Sequence, residues 1–375
     1  MATWDELGAA ALARQFPDLP APVDAAGVAE AVRRIGPIQS QTARSPFLGL
    51  AARLPGVTHE TITAAYEELA IVRGSTIRGT VHTTTPGQHP LLEVATRRGL
   101  RANYLRVLKI HDPLVDDLWA SIEDLARDEW RTPAELLAHL QEWVPAHGGV
   151  PAQALEQGMG RYLGFGHGGL IRRPVKGGWE GQGAPAYRTA SAVLGDRTQV
   201  LRDPHALDDL FRVHLAAHGP ASRHDLAWWT NLRLGDVDAA LERLGLPSET
   251  GPDGREYVDL PDSRPPRSLS GVRLLPEFDA LLCGYQPAAR TRFVTKEHHD
   301  TLWLSANGVV KPPVLVDGRL TGYWRAMGSA RKRPLEVSYF PGTRRPTKSE
   351  LEQPVAALEA VLGITVTSVS VGRHA

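Results

Sequence analysis

The sequence predicts an α+β protein: three tandem winged helix-turn-helix units whose inner faces form one concavity, followed by a β-rich C-terminal region. Three observations carry this expectation. An order of helix, turn, helix and strand spans residues 1–90 and returns over 91–200 and 201–262. Composition then changes, with three prolines within residues 261–267. Beyond that linker, residues 263–375 hold apolar runs split by Asp317-Gly318, a strong short-range hairpin signal. The three copies share no alignable sequence, so the repeat is one of element order.

Taken in order, Leu7, Ala11 and Leu12, then Val28, Val32 and Ile35, recur at helical spacing on either side of a Pro-rich break at 17–22. Residues 46–53 read as a helix, and Thr58 is placed to cap another that runs to about Val72. The run 78–85 reads as a strand closing the first unit. Residues 90–130 are helical with an interruption at 111–113. Thr132-Pro133 opens a further helix, with Thr at the N-cap and Pro at the first helical position. A helix is expected at 152–166, then two short strands, 170–176 and 186–189, around the Gly-rich loop 177–183, making a wing. The third unit reads as helices at 205–217, 223–229 and 235–244 and a strand at 255–259. In the last region, strands are expected at 309–316, 319–324, 335–340 and 365–371, with a helix at 347–362.

With 375 residues, 42% hydrophobic and 22% charged, this is the composition of a folded multidomain protein. The single cysteine, Cys283, excludes an internal disulfide and a Cys-based zinc finger and fits a reducing compartment. No secretory signal opens the chain, and no apolar run approaches the roughly eighteen residues of a membrane span. A cytoplasmic, nucleoid-associated monomer is the expectation. The formal net charge is zero, which argues against a uniformly basic nucleic-acid binder but leaves room for basic residues gathered on one face. Arg172-Arg173 with Lys176, Arg331-Lys332-Arg333, and Arg344-Arg345 with Lys348 are the local clusters.

The chemistry centres on Gln39 and Gln41, one residue apart between a Gly-Pro turn and an apolar helix, with Thr80 and His82 on the strand that should point back at them. Amides, a hydroxyl and an imidazole can hold a water or a base edge, but they make a poor metal set and lack the paired acids of most glycoside hydrolysis. The residues alone leave a second reading open, in which both glutamines decorate a helix surface. Tandem winged helices point to duplex DNA or to protein partners. No phosphate-binding GxxxxGK[ST] is present, and the Gly-rich loops at 164–169 and 177–183 lack dinucleotide-site context. His298-His299 point apart on any regular element, so no metal is expected. Trp228-Trp229 read as core rather than as a stacking platform.

Several motifs in this order resemble the winged-helix DNA glycosylases of the AlkZ/YcaQ family. They are Gln39-Ser-Gln41 after Gly-Pro, Arg78-Gly-Thr-Val-His82, Gly219-Pro-Ala-Ser with Asp225 through Trp229, Leu274-Leu-Pro-Glu-Phe-Asp279, and Val316-Asp-Gly-Arg through Trp324. The likeness covers nearly the whole chain. It implies monofunctional hydrolysis of the N-glycosidic bond of alkylated, often N7-substituted, purines in double-stranded DNA, without a cofactor; some members act on crosslinks or bulky adducts. By the same resemblance Gln39 and Gln41 are the catalytic pair, and Ser40, Arg78, Thr80 and His82 support the pocket. Arg172, Arg173, Lys176, Lys311, Arg319 and Arg331 are the expected DNA contacts, with loop 177–183 and the hairpin tip at Asp317-Gly318 as groove probes. The chain departs from the family motif at its middle position, where Ser40 replaces a hydrophobic residue. The alternative function is a non-catalytic winged-helix DNA-binding protein, a regulator or adduct-binding homologue.

Overall fold

Side-chain caps set most of the helix starts. The computed structural model describes residues 1–22, 24–261, 268–304 and 308–374. Thr3 and Glu6 form a capping box for α1 (Trp4–Gln15), and Asp24 accepts the Gly27 N–H to start α2 (Ala25–Ile35). Gly36, at a φ of 82°, ends α2 and turns the chain into β1 (Ile38–Gln39). Then come α3 (Ser45–Ala51) and α4 (His59–Glu67), capped by Thr58 as expected.

The expected run of α4 to about Val72 is corrected. The helix ends at Glu67, Leu69 takes left-handed backbone, and Val72 begins β2 (Val72–Thr76). Val72 and Thr76 are β-branched, and the segment pairs with β3 (Thr80–Thr84) from Val72↔Thr84 to Thr76↔Thr80. That hairpin ladder, joined to the distant β4 at Gly74↔Ile171, outweighs the helical spacing.

Next, α5 (His89–Leu108), α6 (Leu114–Leu125) and α7 (Pro133–Ala146) follow the expected pattern, including the break at 111–113 and the Thr132–Glu135 capping box. The expected helix at 152–166 is instead two 3-10 turns, Ala152–Leu155 and Gly160–Tyr162. Four glycines between 158 and 166 remove its propensity. The wing strands are β4 (Leu170–Pro174) and β5 (Pro185–Thr189), followed by the short α8 (Ala190–Leu194) and α9 (Thr198–Arg202).

Beyond them lie α10 (Ala206–His218), β6 (Ala221–Ser222), α11 (Arg223–Thr230), α12 (Leu234–Leu244), β7 (Ser248–Thr250) and β8 (Glu256–Val258). The expected linker falls almost wholly on 262–267, outside the described residues. The last stretch carries β9 (Val272–Leu274), α13 (Ala280–Cys283), α14 (Lys296–Leu302), β10 (Trp303–Leu304) and β11 (Val309–Val310). It closes with β12 (Pro313–Val316), β13 (Arg319–Ala326), β14 (Lys332–Tyr339), α15 (Lys348–Leu362) and β15 (Thr365–Arg373). The expected strand 309–316 is split at Pro312-Pro313: β11 pairs with β10, and β12 with β13 and β9. A proline cannot donate to a continuous ladder.

Two five-stranded sheets organise the chain. One has the order β1-β3-β2-β4-β5, so strands from residues 38–84 and from 170–189 form a single sheet. Gly74 is what lets them meet: a Cβ there would lie 2.8 Å from His89 Cε1 and 3.0 Å from the Leu170 carbonyl oxygen. The other sheet has the order β15-β14-β13-β12-β9, with β14 and β15 parallel and joined through α15. Its apolar face shares a core with α2, α3 and α4, in which Val32, Phe47, Ile62 and Tyr66 are buried with Trp324, Leu351 and Leu358. The β-rich end is thus packed on the N-terminal helices.

A buried polar junction locks this arrangement. Arg53 forms a bidentate ion pair with Asp279 at 2.9 and 3.0 Å and donates to Gln15 Oε1. Gln15 Nε2 in turn donates to the carbonyls of Ile35 and Ala217. One set of bonds therefore ties α1, α2, the turn after α3, α10 and the segment before α13, and the pairing offsets the desolvation of each charge.

Candidate active site

The glutamine segment sits on an edge strand. Register pairs Gln39 with His82 and Ile38 with Thr83 across β1 and β3, and the Ser40 N–H donates to the Val81 carbonyl at 2.7 Å. Side chains alternate across a sheet, so Gln39 shares a face with His82 and Thr80, while Ser40 turns to the face of Val81 and Thr83. Gln39 is buried at 8% exposure, Ser40 is buried, and Gln41 is exposed.

Both amide oxygens accept bonds from the protein. Arg78 Nη2 donates to Gln39 Oε1 at 2.9 Å, and the Val81 N–H reaches Gln41 Oε1 at 3.4 Å. Because a guanidinium only donates, the first bond identifies which end of the Gln39 amide is oxygen. Among the described residues, neither amide nitrogen has a protein partner, and that of Gln39 is not sealed from solvent. The cluster thus offers free N–H donors and a second lone pair on each oxygen.

Arg78 is itself held in an unusual way. It sits in a tight 3-10 turn, Ile77–Gly79, with left-handed backbone at φ 59°. Its guanidinium lies 4.8 Å from the Trp228 ring centroid and also donates to the Trp229 carbonyl, so it bridges the Gln39 edge to the end of α11. Among the described residues no carboxylate pairs with it. Burial pulls its pKa down, with the nearby Cys283 opposing, yet an arginine so placed stays a cation. Burial also pulls His82 down to about 3, assisted by the Arg78 charge. His82 Nδ1 meets Thr76 Oγ1 at 2.8 Å, and this imidazole is neutral across the physiological range. The Thr80 hydroxyl donates to the Ile77 carbonyl at 3.2 Å and closes the turn that carries Arg78.

Gln39, Gln41, Arg78, Thr80 and His82 are therefore brought together, and Ser40 lies beneath them on the opposite face. The expected DNA contacts are spread more widely. Arg172, half-buried over Tyr187, and the exposed Arg173 and Lys176 lie on or just beyond β4 of the same sheet. Lys311 sits over Tyr323 at 4.3 Å, and the exposed Arg331 lies in the turn between β13 and β14. Arg319 donates to the Arg292 carbonyl at 3.0 Å and faces Asp5 across 3.5 Å.

Both expected groove probes are anchored to the body, although Gly177, Gly181, Gln182, Gly183 and Asp317 are exposed. Trp179 of loop 177–183 is buried, stacked on Tyr66 with ring centroids 4.2 Å apart. At the other tip, Asp317 accepts from the Gly271 N–H and from Arg344, and a Cβ on Gly318 would lie 2.9 Å from Leu12.

Sequence reasoning missed two contributors. Trp228 is half-buried between Arg78 and Arg290, at 4.8 and 4.7 Å, while Trp229 is core as expected. Adjacent tryptophans at a helix end were the available signal. The second is Arg73, which had no motif to mark it. His298 and His299 indeed diverge: one stacks on Phe340 and the other meets Arg290.

Comparison with known proteins identifies the family. The model of the DNA glycosylase AlkZ-like family matches residues 32–361. This chain belongs to that family. It is 23% identical, over 97% of its own length and 98% of the relative's, to an interstrand DNA cross-link repair glycosylase of Streptomyces sahachiroi. The solved structure of S. sahachiroi DNA glycosylase AlkZ shares the fold at a TM-score of 0.80 and 21% identity, covering 99% of each chain.

Proposed function

We propose that this AlkZ-like protein is a monofunctional DNA glycosylase that hydrolyses the N-glycosidic bond of N7-alkylated purines in duplex DNA, bulky or crosslinked adducts among them. Crosslinked substrates are suggested by the Streptomyces relative, an interstrand DNA cross-link repair glycosylase. The observation that carries the reading is the exposed Gln41 beside the anchored Gln39, their amide nitrogens unclaimed by the protein. An N7-alkylated purine already leaves as a neutral base, so the enzyme needs no strong acid. Its task is to place a water at a sugar carbon with oxocarbenium character. In this reading Gln41 orients the water through its weakly engaged oxygen, and Gln39, polarised and held by Arg78, supports the sugar or the base edge. His82, with its pKa near 3, shapes the pocket and transfers no proton.

The same reading takes residues 1–90, 91–200 and 201–262 as three winged helix units around the duplex, with Arg172, Arg173, Lys176 and Arg331 toward phosphates and 263–375 as the closing region. The protein would work as a monomer at the nucleoid, without cofactor.

The test uses two duplexes, one with N7-methylguanine and one with a bulkier N7-guanine adduct. Free base should appear while the strand stays intact until heat or alkali is applied. Strand cleavage without that treatment would overturn the monofunctional assignment. Tight duplex binding with no base release from either would make the protein a non-catalytic binder.

A further inference from the structure

The replacement of a hydrophobic residue by Ser40 at the centre of the motif is matched by a buried hydrogen-bond chain. Ser40 Oγ donates to the Ile38 carbonyl at 2.8 Å and lies 2.8 Å from Thr83 Oγ1. Thr83 Oγ1 is 2.6 Å from the Tyr66 hydroxyl, which takes a bond from Arg73 Nη2 at 3.0 Å. The proton order is forced at both ends, because a guanidinium only donates and a carbonyl only accepts. Arg73 gives to Tyr66, Tyr66 to Thr83, Thr83 to Ser40, and Ser40 to Ile38. Every hydroxyl donates once and accepts once, so Ser40 leaves no unmet polar atom and the chain is mutually polarised.

The far end of this chain also reaches the segment just beyond Gln41. Arg73 Nη2 donates to the Ala43 carbonyl at 3.2 Å and Arg73 Nη1 to the Trp179 carbonyl at 2.9 Å. The Ala43 N–H donates to Gln182 Oε1 at 2.8 Å. Both backbone groups of Ala43 are thereby held, one by Arg73 and one by the loop between β4 and β5. That loop is seated by Trp179, whose indole N–H donates to Glu67 at 2.6 Å, and by Glu180 against His59. The exposed Gln41, touched by the Val81 N–H at 3.4 Å, lies between two pinned residues, Ser40 and Ala43.

We propose that Gln182 and Arg73 are positioning residues: through Ala43 the β4–β5 loop clamps the glutamine segment and sets the place of the Gln41 amide for hydrolysis. This rests on the glycosylase reading above. An exposed glutamine on a two-residue span needs its backbone fixed, since a displacement near 1 Å in a water-orienting group lowers rates substantially. The loop expected to probe a DNA groove acts instead as a brace for the site.

The experiment measures single-turnover base release from an N7-methylguanine duplex, the duplex Kd and the melting temperature. Gln182 is exposed, so its variants fold. Gln182→Ala should lower the rate roughly tenfold with Kd and melting temperature unchanged, and Gln182→Glu, which keeps an acceptor oxygen, should restore it. In a Gln41→Ala background Gln182→Ala should change nothing further. Parental rates for Gln182→Ala, the same loss in both backgrounds, or a loss confined to Kd each overturn the clamp. Tyr66→Phe, which removes the hydroxyl linking Arg73 to Thr83, should likewise slow release without weakening duplex binding; a parental rate counts against the chain. A Gln41→Ala protein as fast as the parent overturns the catalytic reading itself, and is seen before any clamp variant is made.

Discussion

Arg78 donates to Gln39 Oε1 at 2.9 Å while its guanidinium rests on Trp228, so the amide at the strand edge is oriented from the end of α11. This relationship distinguishes the two glutamines. An amide oxygen bound to a cation is a poorer acceptor, which makes Gln39 a held donor. Gln41, with a 3.4 Å contact to the Val81 N–H, keeps the better acceptor.

Replacing either glutamine with alanine should lower base release about 10²-fold, within the range for positioned water-orienting and oxyanion-type groups. Gln41→Asp should keep activity or alter its substrate range, because a carboxylate also accepts from water. Single-turnover rates with N7-methylguanine duplex decide this, alongside Kd values that should stay at the parent level. A double-alanine protein with parental rates would refute the assignment.

Arg78→Lys should not rescue Arg78→Ala. A lysine carries the charge but cannot bond Gln39 and the Trp229 carbonyl from one planar fork while stacking on Trp228. Both variants should slow base release, and Arg78→Lys should fall nearer to Arg78→Ala than to the parent. Full activity in Arg78→Lys would mean that only the charge matters.

Acid sensitivity follows from the buried imidazoles. Burial holds His82 down to about 3 and His214 down to about 4, and pushes His218 well below its ordinary 6.5. The unfolded chain binds these protons near pH 6.5 and the native state does so only far lower. The stability they contribute is therefore complete above pH 6.5 and is lost as pH falls from there toward 3. Calorimetry should show the melting temperature falling through that window. Among natively folded samples, base release should show no limb from His82 between pH 5 and 8; such a limb, abolished by His82→Gln, would give the imidazole a proton-transfer role.

Arg53→Met should be severely destabilising, about 3–5 kcal/mol, because it strands the Asp279 carboxylate in the core. Gly74→Ala should be costly for a different reason, about 1–3 kcal/mol, since its Cβ would meet backbone and a buried histidine. Chemical denaturation measures both. A change under 1 kcal/mol for Arg53→Met would show that the junction relaxes around the loss.

Much of this protein was readable from local pattern. Thr58 and Thr132 cap helices as expected, because short-range chemistry at a helix start needs only neighbouring residues. The Asp317-Gly318 turn formed for the same reason, and the gathering of Gln39, Gln41, Thr80 and His82 could be anticipated from a strand returning on its own unit. What the pattern could not contain is the long-range pairing. Val72 looked like the end of a helix; it opens a hairpin with the neighbouring β3, and that hairpin is fixed by the distant β4, which meets it at Gly74↔Ile171. Arg73 and Gln182 carried no motif, and nothing in the residues of loop 177–183 says that Trp179 stacks on Tyr66. Caps, turns and alternation are decided by free energies that act within a few residues. Where a buried arginine finds its acceptors, and which loop covers a reactive segment, is decided by packing between segments more than a hundred residues apart, as the Ala43–Gln182 bond across 139 positions illustrates.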